Sequence, residues 1–374
     1  MTLQTNLTAL APQLQNGIAA MQQHRRMAPE MAAALAQAGA FQMLVPKAIG
    51  GLECEPLEIM HTIESVAKVD ASIAWCVMIG ATSSLYSAYL PNDVATRIYG
   101  VQSTITGGVF APMGTALLQD DHYRVSGHWR WASGSQNCDW LSGGCVVMEN
   151  GTPTQRAMIF PAADAELIDT WHTMGLRGTG SGDMKVINLQ VPKAMSVSLM
   201  TDKPIATGAL YAFPAFGLLA MGIAAVASGN AMAMLDEFKL EASSLKPGGA
   251  RKSLADRATV QSDFAQATAA LKSARAFMVD ELGQSWAVAN ADGQISLERR
   301  AGLRLAATHL TRVAAEVCRQ VHDLSGGVAV FVGNTFERRL RDAQTMTAHM
   351  MISSPTYELT GKLLLGLSTH EPLC

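Results

Sequence analysis

Apolar residues recur at helical spacing over the first hundred residues of the chain, and the same spacing returns after about residue 208. The N-terminal part predicts helices over 28–40, 56–69 and 70–89. Pro56 fits the first turn of the second of these helices, and Pro91 stops the third. The C-terminal part predicts helices over 209–240, 254–289, 297–324, 337–351 and 355–367.

The middle of the chain has a different pattern of apolar and polar residues. Turn residues recur there, and short runs of alternating polarity occupy 122–126, 140–148, 156–160 and 184–191. These runs predict a mostly antiparallel β domain that Pro192-Lys193 closes. The predicted class is therefore α+β, with a helical domain over 1–102, a β domain over 103–205 and a helical bundle over 206–374. The pattern alone leaves several α+β folds open.

Composition narrows the possible partners. Of 374 residues, 49% are hydrophobic and only 16% are charged, which favours a homo-oligomer with much surface buried between subunits. The net charge of −3 and the lack of a Lys/Arg block argue against nucleic acid. No unbroken apolar run of about 18 residues occurs, so no membrane span is expected. Residues 1–23 lack the basic start and apolar core of a signal peptide.

The six cysteines lie far apart, and none forms a CxxC pair. This spacing argues against a zinc site and against a disulfide framework. The nine histidines are equally scattered, with no HExxH pair. We therefore expect reduced thiols, no bound metal and a cytoplasmic protein.

Two C-terminal runs, 320–327 (Gln-Val-His-Asp-Leu-Ser-Gly-Gly) and 336–343 (Phe-Glu-Arg-Arg-Leu-Arg-Asp-Ala), resemble the closing segment of acyl-CoA dehydrogenases. Many of those enzymes carry a catalytic glutamate eight residues after the Asp of the Arg-Asp pair, and Met350 stands there in this chain. Removing the α-proton of a thioester needs a carboxylate base, which methionine cannot supply. The substitution fits instead a resemblance to the flavin-dependent monooxygenases built on the acyl-CoA dehydrogenase fold. These are two-component hydroxylases (group D) that receive reduced flavin from a separate reductase.

Residues 127–134 (Gly-His-Trp-Arg-Trp-Ala-Ser-Gly) look like the flavin strand of that family. The resemblance implies that Trp131 and Ser133 meet the isoalloxazine, with the Ser133 hydroxyl bonded to N5. A hydroxyl there can donate or accept as the flavin changes redox state, and it could stabilise a C4a-hydroperoxide. The plain alternative is that Trp129 and Trp131 are a same-face pair on a β-strand.

Residues 169–181 are also close to the hydroxylase pattern, and the resemblance implies that Arg177, Thr179 and Ser181 line the cofactor cleft. The alternative is a β-turn with a structural arginine. No strand–turn–helix context surrounds these glycines, so a dinucleotide fingerprint is rejected.

Two further segments match the family by position. Ser325-Gly326-Gly327 falls where a neighbouring subunit brings its backbone onto the cofactor, or else is an ordinary helix–helix turn. Lys246, Arg251 and Lys252 flank a glycine loop and would suit a flavin phosphate, although such a cluster is more often a solvated loop.

The catalytic candidates implied by the resemblance are His349 and Ser133. His349 follows Arg341-Asp342 at the hydroxylase spacing; it could donate to the distal peroxide oxygen or take up a substrate proton near neutral pH. The alternative is a packed histidine with no such role. The substrate-binding candidates are Ser83, Phe110 and His349.

Ser83 stands where phenol hydroxylases of the group carry a substrate histidine, so phenolate binding is not expected. Electron-rich rings such as indoles fit better, and an indole-3-acetate-type monooxygenase is the most specific expectation. The full prediction is a homotetramer that uses reduced FMN or FAD, O2 and a flavin reductase to oxygenate a small aromatic. A flavin dehydrogenase or oxidase with a displaced base, and a family member that only binds ligand, are the alternatives.

Overall fold

The computed structural model of the protein describes residues 2–149, 151–246, 251–291 and 293–367. The chain divides into two compact units. The first comprises Met1–Glu55, Trp75–His172 and Arg177–Ala215. The second comprises Pro56–Ala74, Thr173–Leu176 and Phe216–Cys374.

Helices occupy both ends of the chain. Those that precede the strands are α1 (Leu3–His24), α2 (Pro29–Gln37), α3 (Pro56–Val69), α4 (Ala71–Ser83) and α5 (Asn92–Tyr99). Those that follow them are α6 (Ala209–Ala212), α7 (Ala215–Glu241), α8 (Ala258–Ala291), α9 (Leu297–Ser325), α10 (Thr335–Met346) and α11 (Pro355–Leu364). The bounds of α3 are the predicted ones, because Pro56 begins the helix and Asp70 caps the next one, accepting from the backbone N–H groups of Ser72 and Ile73.

A seven-stranded sheet lies in the first unit, among the residues that the structure describes. Its strands are β1 (Thr106–Gln119), β2 (His122–Trp129), β3 (Trp140–Glu149), β4 (Thr152–Pro161), β5 (Glu166–Ile168), β6 (Asp183–Pro192) and β7 (Ser196–Val197). They are ordered β5-β6-β2-β1-β3-β4-β7. Only the β1–β3 pair is parallel within this sheet, so the predicted antiparallel character is confirmed.

Trp129 at the end of β2 organises the core of the sheet. Its side chain is fully buried, and its indole N–H donates to the Gly144 carbonyl at 2.7 Å. Gly114, Gly127 and Gly143 surround the ring so closely that a Cβ on any of them would overlap it. These glycines are therefore needed for packing around one large side chain.

An irregular stretch interrupts β1. Its register against β3 shifts between Val109 and Gly114, while β3 advances only from Gly143 to Cys145. The extra residues of β1 form a bulge that includes Phe110. Bulges of this kind redirect side chains and are common beside binding sites.

The second unit contains buried ion pairs between its helices. Glu64 of α3 accepts from both Nε and an Nη of Arg275 at 2.8 Å, and from the Ser228 hydroxyl at 2.7 Å. Arg339 of α10 pairs with Glu237 of α7 at 2.9 Å. Breaking one partner of such a pair leaves a buried charge uncompensated, so these contacts specify how the helices of this unit pack.

Two helical stretches are long and apolar enough to cross a membrane by length and composition alone, namely Ala71–Ala88 and Ala215–Glu241. In the most apolar 18-residue window of each stretch, 83% and 89% of the residues are buried within the structure. Burial on this scale is what core helices show.

The structure corrects several predicted elements. The predicted helix over 337–351 ends at Met346, so His349 and Met350 lie beyond it. The predicted helix over 209–240 is broken at Phe213-Pro214, because proline has no N–H to donate within a helix. Strand β1 was not predicted at all. The division into three domains at residues 102 and 205 stays a prediction.

Candidate functional site

Trp131 follows the end of β2 and faces outward. Its backbone is left-handed, with φ of 67°, and its side chain is 60% exposed. A large residue with positive φ is an uncommon conformation, and an exposed tryptophan is an uncommon placement. The alternative of a same-face pair with Trp129 is wrong, since Trp129 is fully buried and Trp131 is not on the strand.

Two short backbone segments, 131–134 and 179–182, are hydrogen-bonded to each other. The N–H of Ala132 donates to the Gly182 carbonyl and that of Gly134 to the Thr179 carbonyl, each at 2.9 Å. The 131–134 segment therefore lies against the 179–182 segment.

This pairing brings three hydroxyls together. The oxygens of Ser133 and Ser181 are 2.6 Å apart, as are those of Ser181 and Thr179. The indole N–H of Trp75 on α4 donates to the Ser133 hydroxyl at 3.2 Å. All four side chains are buried, so each of these bonds is formed away from water.

The loop that carries Arg177 contains a glycine in the left-handed region. Gly180 has φ of 54°, and its carbonyl accepts from the Gln136 side-chain amide at 3.1 Å. The Nε of Arg177 is buried and has no hydrogen-bond partner within the described residues. A buried guanidinium nitrogen without a partner is costly, and an acceptor supplied by a ligand would relieve that cost.

The first unit therefore fits a flavin on three observations. They are an outward aromatic face at Trp131, a hydroxyl at Ser133 and an orphaned donor at Arg177. Flavins are bound by such aromatic contacts and by donors to their ring atoms.

The predicted substrate residues in the first unit lie on different elements. Ser83 ends α4 and lines a small pocket with Tyr86, Tyr99 and Ser142. Burial raises the pKa of Tyr86 to about 12, so its hydroxyl stays protonated and bonds Ser142. Phe110 is half-buried on the β1 bulge, where its carbonyl accepts from the Gln155 side-chain amide at 2.7 Å. Ser83 and Phe110 do not line the same pocket here.

His349 in the second unit begins a short 3-10 turn over Met350–Ile352. Its Nδ1 accepts from the Met351 N–H at 3.2 Å, and Arg304 donates to the Met351 carbonyl at 3.0 Å. Burial, with a smaller contribution from the Arg304 charge, lowers the pKa of His349 to about 4. The ring is therefore neutral at pH 7, with its proton on Nε2.

This protonation state corrects one part of the sequence interpretation. A histidine whose pKa is about 4 does not titrate near neutral pH, so uptake of a substrate proton there is disfavoured. In this state the ring accepts at Nδ1 and donates only through Nε2–H. Met350 is 60% exposed, and the sequence has no Asp or Glu from Ala343 to Tyr357. No carboxylate in this segment can replace the missing base.

Asp342, from the Arg-Asp pair of the sequence motif, is buried against Asp70 in the second unit. Its carboxylate accepts from the Leu176 N–H at 2.6 Å. Burial, and then the charge of Asp70, raise the pKa of Asp342 to about 7. Arg338 lies 3.6 Å from Asp70 and offsets only part of this charge. The 173–176 segment is thus anchored to α10, and the chain continues directly from it to Arg177.

Ser325, Gly326 and Gly327 form the end of α9. The Ser325 hydroxyl donates to the Val321 carbonyl at 2.8 Å, and Gly326 caps the helix with φ of 65°. No atom lies within 4 Å of a Cβ placed on either glycine. The two glycines therefore present accessible backbone, and contact of this segment with a neighbouring subunit's cofactor stays a prediction.

The basic cluster is only partly described. Lys246, Arg251 and Lys252 are exposed, and residues 247–250, which the sequence predicts to be the loop between them, lie outside the described residues. Cys374 also lies outside them, and the five described cysteines form no disulfide with one another. A phosphate site at the cluster stays a prediction.

Sequence reasoning missed Trp75 as a member of the site. It is 58 residues from Ser133 along the chain, and no local pattern connects the two. Trp75 lies on the same helix as the candidate Ser83, and this proximity is the signal that could have found it.

Two family matches cover the ends of the chain. Residues 4–92 match the family described as acyl-CoA dehydrogenase, N-terminal domain, and residues 221–354 match acyl-CoA dehydrogenase, C-terminal domain. An indole-3-acetate monooxygenase from Pseudomonas putida is 32% identical over 88% of this chain and 84% of that protein. One from Acinetobacter baumannii is 30% identical over 89% and 86%. The chain belongs to the flavin-dependent monooxygenases of the acyl-CoA dehydrogenase fold.

Solved structures agree on the fold of this monooxygenase. The 3-HSA hydroxylase from Rhodococcus sp. RHA1 has a TM-score of 0.92 at 23% identity, over 100% of this chain and 99% of that one. XiaF from Streptomyces sp., solved with FADH2, has a TM-score of 0.91 at 22% identity, over 99% and 96%. The predicted fold class, enzyme class and dependence on reduced flavin are confirmed. The roles of individual site residues stay predictions.

Proposed function

We propose that this monooxygenase is the oxygenase component of a two-component system that oxygenates a small, indole-type aromatic. A separate flavin reductase supplies reduced FMN or FAD. The 32% identity to an indole-3-acetate monooxygenase over most of both chains carries the proposal. The Ser at position 83, where a phenolate-binding histidine would otherwise stand, supports an indole over a phenol.

The balance of the reaction is that of a monooxygenase. One oxygen atom of O2 enters the aromatic substrate and the other leaves as water, while reduced flavin supplies two electrons and becomes oxidised. The bound flavin supplies the activation of O2. We assign the cofactor side of the site to Trp131, Ser133, Arg177 and Thr179. Trp131 offers a stacking face, and Ser133 a hydroxyl held in place by its neighbours.

On the substrate side we assign Ser83, Phe110 and His349. The neutral His349 holds its proton on Nε2 and so serves as a hydrogen-bond donor. Exclusion of water from the substrate would limit wasteful release of hydrogen peroxide. A dehydrogenase function has no support in the 343–357 segment, which lacks a carboxylate base.

We further propose a homotetramer in which Ser325, Gly326 and Gly327 of one subunit cover the flavin of its neighbour. The open space around the two glycines supports this assembly. We also propose a cytoplasmic location, which the lack of a disulfide among the described cysteines supports.

Oxygen labelling tests the proposed reaction. The purified protein is mixed with photoreduced FMN or FAD, 18O2 and indole-3-acetate as the probe substrate. We expect a product that carries one 18O atom, formed only when reduced flavin and O2 are both present. Oxidation of an acyl-CoA thioester without incorporation of oxygen would instead support the dehydrogenase alternative.

A further inference from the structure

Ser133, Ser181 and Thr179 form a chain of hydrogen-bonded hydroxyls, and their solvent accessibility falls from one end of the chain to the other. Ser133 retains 6% accessibility, Ser181 3% and Thr179 1%, so Ser133 is the end that a ligand can reach. Both links of the chain measure 2.6 Å between oxygens. Such short distances are typical of strong O–H···O bonds.

Each hydroxyl has one proton to donate and two lone pairs that accept. The hydrogen bonds of the chain can therefore all be donated toward Ser133 or all be donated away from it. The Trp75 indole can only donate, so it always occupies one lone pair of Ser133. In one direction Thr179 donates to Ser181 and Ser181 donates to Ser133. Both lone pairs of Ser133 are then filled, and its proton points to the ligand.

In the opposite direction Ser133 donates to Ser181, and Ser181 donates to Thr179. Ser133 then offers its remaining lone pair to the ligand and acts as an acceptor. Because Trp75 holds the other lone pair, Ser133 can accept from the ligand and keep its own proton bonded only by donating to Ser181. The Ser181 proton then needs an acceptor, and the Thr179 hydroxyl supplies one. The two directions therefore give Ser133 two distinct roles.

We propose that the Ser133–Ser181–Thr179 chain, anchored by Trp75, is a reversible hydroxyl relay that matches Ser133 to the redox state of the flavin. The proposal rests on the proposed function, in which the flavin ring lies on the Trp131–Ser133 side. An oxidised flavin presents a ring nitrogen that accepts, whereas a reduced flavin presents an N–H that donates. Ser133 donates to the first and accepts from the second.

Ser181 is the positioning residue of this relay. When Ser133 accepts from the reduced flavin, its own proton needs an acceptor, and Ser181 supplies one. Without Ser181 that buried proton has no partner, which is the costly case for a hydrogen bond. When Ser133 donates to the oxidised flavin, loss of Ser181 leaves only an unfilled lone pair, which costs less. Substitution of Ser181 should therefore weaken the reduced complex selectively.

Binding of oxidised and reduced FMN, the latter under anaerobic conditions, tests this selectivity. We expect Ser181→Ala to weaken reduced FMN about tenfold and oxidised FMN less than about threefold. These values change the ratio of the reduced to the oxidised affinity by a factor of about three to ten, which lowers the midpoint potential of the bound flavin by roughly 15 to 30 mV. Ser181→Thr keeps the hydroxyl and should restore the wild-type ratio. Ser87→Ala is the matched control, because this buried serine only donates to the Ser84 carbonyl at 2.6 Å.

A measurement without flavin also detects changes in this chain of hydroxyls. The indole N–H resonance of Trp75, assigned with Trp75→Phe in 15N-labelled protein, should shift in Ser181→Ala and stay in place in Ser87→Ala. If Ser181→Ala does not fold, Thr179→Val takes its place, because it removes the acceptor for the Ser181 proton. Its effect on reduced FMN should have the same sign.

The possible outcomes separate the relay from the function on which it rests. Equal weakening of both redox forms, or no weakening of either, overturns the relay. A wild-type protein that binds neither form of FMN or FAD instead overturns the proposed function. Selective weakening of the reduced form, rescued by Ser181→Thr, supports both.

Discussion

At the scale of single residues, Ser133 combines burial, a short hydrogen bond and a position beside an exposed aromatic ring. We expect Ser133→Ala to divert turnover from oxygenated product to hydrogen peroxide. Loss of one buried hydrogen bond to a polar group amounts to about 1–3 kcal/mol, or roughly a fivefold to hundredfold change in partitioning. The measurement is product formed per O2 consumed with indole-3-acetate. Ser87→Ala should keep the wild-type ratio, and an unchanged ratio in Ser133→Ala would make Ser133 an ordinary loop residue.

His349 gives a second prediction at this scale. Because its pKa lies at about 4, it stays neutral from pH 6 to 8 and acts there as a donor. His349→Ala should therefore lower the coupling of product to O2 consumption by the same factor at every pH in that range. His349→Gln retains a side-chain N–H and should recover part of the loss. Coupling equal to wild type in the alanine variant would remove His349 from the mechanism.

The depressed pKa of His349 also predicts a trend in stability. The unfolded chain binds a proton near pH 6.5, whereas the folded protein does so only near pH 4. The contribution of neutral His349 is thus present above pH 6.5 and is lost as pH falls toward 4. His349→Ala should lose less stability than wild type between pH 7 and pH 4.5, measured by the shift in Tm. A parallel loss in both proteins would show that the folded-state pKa is ordinary.

At the scale of elements, the link between α10 and the 173–176 segment depends on a buried carboxyl that titrates. The pKa of Asp342 is raised to about 7, so its favourable contribution is complete below pH 4 and is lost as pH rises through 7. Asp342→Asn keeps the acceptor for the Leu176 N–H without the charge. Its Tm should equal or exceed that of wild type at pH 8 and should lack this pH dependence.

A second variant separates charge from hydrogen bonding at the same position. Asp342→Leu removes the acceptor for the Leu176 N–H and should lower the Tm at every pH, because a buried hydrogen bond is lost. If Asp342→Asn were the less stable protein at pH 8, the ionised carboxylate would be well compensated in the folded protein and its pKa would not be raised.

The same scale shows what the sequence could and could not predict. The bounds of α3 follow from local signals, since proline at the start and a capping aspartate after the end are both visible in the sequence. Strand β1 was not predicted because its glycines and Pro112 interrupt the alternation of polar and apolar residues that is typical of a strand. Those glycines serve distant contacts, such as the space that Gly114 leaves for Trp129. Contacts of this kind have no local signature.

The same limit applies to the candidate site, because its geometry depends on distant contacts. Trp131, Ser133 and Thr179 were found through motif resemblance, but their geometry was not. The positive φ of Trp131 and the bond from Trp75 to Ser133 depend on segments far apart in the chain. The neutral state of His349 depends likewise on burial and on Arg304. Burial and charge at a site are properties of the folded chain, so residue types alone could not give them.

At the scale of the whole molecule, the end of α9 continues into an apolar segment that is exposed in the single chain. Val330, Phe331 and Val332 have 63%, 69% and 89% of their surface accessible. Burying such side chains stabilises by about 25 cal/mol per Å² of apolar surface, so an exposed run of them favours association. In the proposed homotetramer this segment packs against another subunit and holds Ser325, Gly326 and Gly327 over that subunit's flavin.

Phe331→Asp tests that assembly directly, because a charge cannot be buried in an apolar interface without a partner. We expect the wild-type protein to have the mass of four chains in analytical ultracentrifugation and the variant to dissociate toward smaller species. Its affinity for reduced flavin should fall in parallel, since the covering segment is lost. Leu240→Asp, at an 82% exposed position on α7, is the matched control and should keep both the mass and the affinity. A fully active wild-type monomer would refute the tetramer and the shared site together, and would leave each chain to cover its own flavin.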